Sequence, residues 1–148
     1  MITAKVTKNF DLRKLKLDLH RELNQGIDII AENIEESIDN GQQFGMAFAP
    51  NKPATVKRKG HNKPLIDTGL MKDEGRMRKT KATTAKQEAT LLPNHQRESI
   101  GFWNDQGTPN IPSRKFWGIS VRADNKIDKI IDKAIRKSIE RTRKASIA

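Results

Sequence analysis

The triplet Asp67-Thr68-Gly69, following Leu65-Ile66, is the nearest approach in this sequence to a catalytic motif. In aspartic proteases two such aspartates share a proton and activate water, and a short chain can supply one triplet per subunit of a dimer. The rest of that pattern is missing here, because no second apolar strand ending in glycine and no glycine-rich flap follows. Asp and Thr before Gly also make an ordinary turn or helix cap. That is the role expected of Asp67, and an aspartic protease is the distant alternative.

Other reactive residue types are scattered. His20, His61 and His95 stand far apart with no second ligand at helical or hairpin spacing, so they propose no metal site. No Gly-x-Ser-x-Gly elbow and no Gly-Lys-Ser/Thr phosphate loop is present, and cysteine is absent, which removes thiolate nucleophiles, disulfides and Cys-based zinc sites. The sequence therefore leads to the expectation of no catalytic residue, no metal and no cofactor.

Cations are the most abundant functional groups. Lysine and arginine outnumber aspartate and glutamate by 29 to 18, a formal charge of +11 that favours a polyanionic or acidic partner. They fall into three groups: Lys52, Lys57, Arg58, Lys59 and Lys63; the run from Lys72 to Lys81; and a C-terminal set including Lys133, Arg136 and Lys137. Each group can equally be a solvated face. The first is the best candidate for phosphates or an acidic protein surface, since a polar segment can order on binding. Lys133, Arg136 and Lys137 are secondary candidates for the same contact. Aromatic residues are not interleaved with these cations, which argues against a single-strand stacking platform.

The elements that must position these groups follow from periodicity. Leu12, Leu15, Leu19, Leu23, Ile27, Ile30, Ile34 and Ile38 recur three or four residues apart. They predict one long helix capped near Asp11, with a bend at Gly26 and a stop at Asn40-Gly41. Between Gln42 and Asp67 the pattern dissolves into Gly, Pro, Asn and Lys, which reads as a basic extended loop over 43–66 with one helical turn at Pro53 to Lys59. Threonine-rich Met77 to Leu92 predicts two strands or one bent strand, and Arg114 to Val121 another strand. From about Asp124 to residue 145, Ile127, Ile130, Ile131, Ala134, Ile135 and Ile139 share one arc opposite Lys126, Lys129, Lys133, Arg136, Lys137 and Lys144. This is an amphipathic helix with a cationic back.

A chain of 148 residues, 34% hydrophobic and 32% charged, fits one domain over 1–148 with a small core. The expected class is α+β: a long N-terminal helix and a C-terminal amphipathic helix packed on a small antiparallel sheet, with the long basic loop. No apolar run approaches the roughly 18 residues needed to span a bilayer, and MITAKVTKNF lacks the apolar stretch of a secretory signal. No membrane partner is expected.

Two stretches together resemble a known family. Phe48-Ala49-Pro50-Asn51-Lys52-Pro53-Ala54-Thr55-Val56-Lys57-Arg58-Lys59-Gly60, with Lys63-Pro64-Leu65-Ile66-Asp67-Thr68-Gly69-Leu70 after it, is similar to the phage virion morphogenesis (tail completion) family. Trp103-Asn104-Asp105-Gln106-Gly107-Thr108, with Ile111-Pro112-Ser113-Arg114-Lys115-Phe116-Trp117-Gly118, is similar to a segment of that family shared with head–tail joining proteins. Lys115 departs from it, standing where a proline is expected after the arginine. The resemblance implies a structural virion protein of a tailed phage, in the tail or neck, present in the host cytoplasm before assembly. It implies a hexameric or similar homo-oligomeric ring around the DNA channel, with non-specific DNA contact and with tail tube, tail terminator or head connector as neighbours.

Within the second stretch, Arg114, Phe116 and Trp117 put a cation beside two large apolar groups, the composition of a protein contact's centre. Phe102 and Trp103 are candidates for the same role. The alternative for Phe116 and Trp117 is the core. A second functional reading, from charge alone, is a non-sequence-specific nucleic-acid-binding accessory protein.

Overall fold

The computed structural model of the protein describes residues 12–147. Its first long element is α1, His20–Asn40. Asp11, the expected cap, lies outside the described residues. Leu12–Lys14 forms a separate 3-10 turn, and residues 15–19 are irregular, so the helix starts later than the periodicity suggests. The cause is tertiary: the Gln87 side chain accepts from the Leu19 N–H at 2.7 Å and donates to the Leu17 carbonyl at 3.2 Å. It occupies backbone groups that a continuing helix would use. Asp18 then takes the capping role. Its carboxylate accepts from the His20 N–H at 3.2 Å and meets the His20 ring Nδ1 at 2.6 Å, and the His20 hydrogen bond holds Asp18 below the usual carboxylate range.

Along α1 Ile27, Ile34 and Ile38 of the expected stripe are buried, with Ala31 and Ile29 beside them, whereas Ile30 is half-buried. Gly41, with φ of 68°, ends the helix, its N–H donating to the Ile38 carbonyl. Gly26 does not break the helix. It lies under α4, Val121–Ile147, where a β-carbon added at Gly26 would sit 3.5 Å from Ile127 Cγ2. That is ordinary contact, so Gly26→Ala should fit and should raise stability by about 0.5–1 kcal/mol through helix propensity alone. Urea unfolding of the two proteins measures the difference.

The α4 helix packs along α1. Ser120 starts it, with its Oγ accepting from the Ala123 N–H at 3.2 Å while its own N–H donates to Asn33 of α1 at 3.2 Å. The predicted stripe is present, but Ile127, Ile130, Ile131, Ala134 and Ile135 are half-buried and Ile139 is exposed. One helix partner covers only part of the stripe.

The fold is α+β with long N-terminal and C-terminal helices, as expected, but the sheet is split into two hairpins. Strands β1 (Gln42–Gln43) and β2 (Met46–Ala47) are antiparallel, joined by Phe44-Gly45, both at positive φ. That is the mirror-image turn whose twist matches paired strands. Strands β3 (Arg78–Thr80) and β4 (Thr90–Leu92) form the second hairpin, with Lys79 opposite Leu91.

The segment 43–66 is less of a loop than its composition suggests, for it holds most of the first hairpin and α2, Pro53–Lys59. The expected helical turn is there, ended by Gly60 at φ 77°. Two other segments add to or change what the sequence predicts. Phe102 and Trp103, to which the sequence pattern assigns no element, lie on a helix, α3, Glu98–Gln106. Residues 114–120 are not a strand: the Phe116 and Trp117 N–H groups both donate to Asp105 Oδ1 at 3.0 Å, and the Arg114 N–H donates to the Asn104 carbonyl at 2.6 Å. With these three donors taken by α3 and the Ser120 N–H by Asn33 of α1, the alternating donors that a ladder needs are already committed. The core is Ala31, Ile34, Ile38, Phe48, Leu65, Met77 and Phe116, with Ile30, Ile66, Met71, Leu91 and Trp117 against it.

Candidate functional site

Helix α2 is short and has no fully buried residue, with Thr55, Val56 and Lys59 half-buried, and polar contacts also tie it to its surroundings. Pro53 stands at its first turn, where a missing N–H costs nothing, and Lys57, Arg58 and Lys59 fall in its last turn, where cations suit the exposed carbonyls. Lys52 donates to the Asn110 carbonyl at 3.2 Å, Arg58 pairs with Asp67 at 3.2 Å, and Lys59 donates to the Lys63 carbonyl at 3.1 Å.

Facing α2 is the turn 107–113. Thr108 and Ile111 exchange backbone hydrogen bonds at 2.8 and 3.2 Å. Gly107, at φ 84°, approaches so closely that an added β-carbon would lie 3.0 Å from the Ser113 nitrogen, so the position needs glycine for both conformation and space. Arg114 joins the two walls. Its guanidinium donates to the Ala49 and Pro50 carbonyls at 2.7 and 3.0 Å and to Asn104 Oδ1 at 3.2 Å.

Between these walls is a cavity of about 290 Å³. Its polar lining includes Asn51, Lys52, Thr55, Arg58, Lys59, Asp67, Asn104, Asn110 and Arg114; Leu65, Ile66, Met71, Ile100, Ile111 and Pro112 supply its apolar part. Among the described residues that line it, Asp67 is the one carboxylate, against four cations. Lys59 has its pKa pushed down chiefly by burial, which Asp67 opposes and the weaker repulsions from Arg58 and Arg114 reinforce. Burial likewise lowers Arg114, though a guanidinium stays charged. Asn51 Nδ2 is buried and finds no hydrogen-bond partner among the described residues. The arrangement favours a small anion carrying an apolar flank.

The candidate residues are distributed unevenly around this cavity. Lys52, Arg58 and Lys59 line it, whereas Lys57 and Lys63 do not and are exposed to solvent. Lys133, Arg136 and Lys137 are exposed on α4 and do not line it, Arg136 pairing with Asp132 at 2.8 Å. Two of the aromatic-cation candidates need correction. Arg114 is 7% exposed and Phe116 2%; the first is consumed by its three acceptors and the second by the core, so neither is presented at the surface of the folded chain. Trp117 is half-buried with its ring edge-on to Phe116, centroids 6.2 Å apart. Phe102 and Trp103, in contrast, are 63% and 49% exposed on α3. Beside them a smaller cleft is lined by Pro93, Glu98, Phe102, Asp105 and Trp117.

Asp67 lies in the expected turn without capping it. Thr68 Oγ1 accepts from the Leu70 N–H at 3.4 Å, and the Asp67 carboxylate is turned to Arg58. Among the described residues no group of three or more His, Asp or Glu is placed to hold a metal ion, and no helix is long and apolar enough to cross a membrane. Sequence reasoning missed Asn51, Asn110 and Asp105. Asn51 and Asp105 stand within the two motif stretches, and Asn110 lies between the halves of the second, so proximity to those motifs was the signal available.

Comparison of the chain with protein-family models, with curated proteins and with solved structures finds no match.

Proposed function

We propose that the chain is a structural subunit of a tailed-phage particle that completes the tail or joins it to the head, assembling as a ring around the DNA channel. One observation carries the proposal. The two sequence stretches that resemble the tail completion family, the first ending at Leu70 and the second beginning at Trp103, are separated by 32 residues. They nevertheless close on one cavity and are locked together by Arg114. Residues that fold into a common feature are the expected result when a motif describes one shared architecture rather than separate coincidences.

The surface suits assembly. Phe102 and Trp103, consecutive on α3, are 63% and 49% exposed, and large apolar side chains left in solvent mark an interaction face. In a ring, this face meets the neighbouring subunit or the tail tube, terminator or connector. The cationic back of α4 is then free to meet DNA without reading its sequence.

Disruption of the gene in the producing phage should leave separate heads and tails under the electron microscope. The double variant Phe102→Ser, Trp103→Ser should give the same particles while remaining folded, since exposed positions usually change stability by less than about 0.5 kcal/mol each. Intact infectious particles without the protein would rule the proposal out. Tight, salt-sensitive duplex binding by the isolated monomer, with normal particles, would instead favour a nucleic-acid accessory role.

A further inference from the structure

We infer that the cavity between α2 and the 107–113 turn is a receptor for a short acidic segment of a partner protein, one carboxylate flanked by aliphatic side chains. The partner's place in a phage particle rests on the preceding proposal; recognition of the acidic segment rests on the cavity alone.

Charge sets the sign of the ligand. Among the described residues that line the cavity, Lys52, Arg58, Lys59 and Arg114 outnumber one carboxylate, Asp67, and Arg58 already holds that carboxylate at 3.2 Å. Lys59 is partly desolvated, and Asp67 offsets its repulsion from Arg58 and Arg114; a bound anion would add to that relief. Asn51 Nδ2 adds a buried donor without an acceptor among the described residues, and an unmet buried donor is the kind of group a ligand completes.

Shape and polarity choose peptide over nucleic acid. At about 290 Å³ the cavity lies near the lower end of ligand pockets, enough for one or two side chains and too narrow for a duplex. Leu65, Ile66, Met71, Ile111 and Pro112 form an apolar part that a hydrated phosphodiester backbone would leave unused. Among the described residues that line it, none is aromatic for base stacking. A glutamate or aspartate beside leucine-like groups satisfies both halves.

The probe is an acetylated, amidated Leu-Asp-Leu-Glu-Leu peptide, titrated into the isotope-labelled full chain and followed by NMR, with its Asn/Gln counterpart and a short DNA duplex as controls. The acidic peptide should shift the Asn51 side-chain amide and the backbone signals of Thr55, Lys59 and Ile111. Lys59→Gln should weaken it about tenfold, the loss of one charge-assisted hydrogen bond. Asp67→Asn should tighten it about threefold by removing the competing carboxylate, a gain that a merely structural Asp67 would not give. Unchanged signals from Ile34 and Phe116 report that each variant is folded, and Asp67→Asn carries the test if Lys59→Gln is not. Absence of cavity shifts at millimolar peptide, equal binding of the neutral peptide, shifts confined to the Lys133–Lys137 face, or cavity shifts by DNA in preference to peptide would each overturn the inference.

Discussion

Arg114→Ala should destabilise the fold by about 2–4 kcal/mol, because it removes a buried cation and strands the acceptors that the cation serves. The guanidinium satisfies the Ala49 and Pro50 carbonyls and Asn104 Oδ1 at once, and these acceptors come from the segment before α2 and from α3. No shorter side chain spans them. Arg114→Lys keeps the charge but offers a point donor in place of a planar fork, so it should recover less than half of the loss. Urea unfolding tests this as a fall in midpoint at unchanged slope, with Lys133→Gln as an exposed control expected within about 0.5 kcal/mol of the parent. A loss below about 1 kcal/mol in Arg114→Ala would mean that water replaces the guanidinium at little cost and that the lock is not structural.

Assembly phenotypes divide along the same line. If the proposed role in a particle holds, a particle defect in an Arg114 variant reports on the chain's own fold, whereas one in a Phe102 and Trp103 variant reports on its surface. Residue types alone do not draw this distinction. Arginine beside two aromatics has the composition of an interface centre and also of a core lock, and only burial separates them. The local structure of the segment is equally hidden, because Arg114 to Val121 has strand-like residues while its backbone donors go to Asp105, Asn104 and Asn33.

What was legible came from repeated local signals. The stripes of α1 and α4, the stop at Gly41, the single turn at Pro53 to Lys59 and the strand character within Met77 to Leu92, there open between two strands and one bent strand, all follow from spacing or from residue types such as Gly, Pro and Thr. What was not legible depends on partners distant in sequence. Gln87 shortens α1 from 70 residues away, and Phe44-Gly45 makes a hairpin from residues that composition reads as loop. The basic group shows both sides. Its cations were recognisable as a cluster, but only the fold tells Lys52, Arg58 and Lys59, which line a cavity, from Lys57 and Lys63, which do not.

Phe116→Ala should be the most damaging single truncation of an apolar side chain, at about 3–5 kcal/mol. Phe116 is among the largest side chains with almost no exposure. Its ring lies where a β-carbon on Gly101 would touch it at 3.5 Å, and its carbonyl accepts from Gln43 Nε2 at 3.3 Å. It therefore fastens α3 and the first hairpin to the face of α1 that carries Ile34 and Ile38. Against a total stability of about 5–15 kcal/mol for a domain, and with so few fully buried apolar residues to share the load, the loss should lower the melting temperature by about 10 °C or more. Trp103→Ala, one helix away but half exposed, should change stability by less than about 0.5 kcal/mol. Circular dichroism melts of the two variants decide the matter. Near-equal effects, or a Phe116→Ala melt within about 2 °C of the parent, would place the ring at a surface that neighbours cover rather than in the core.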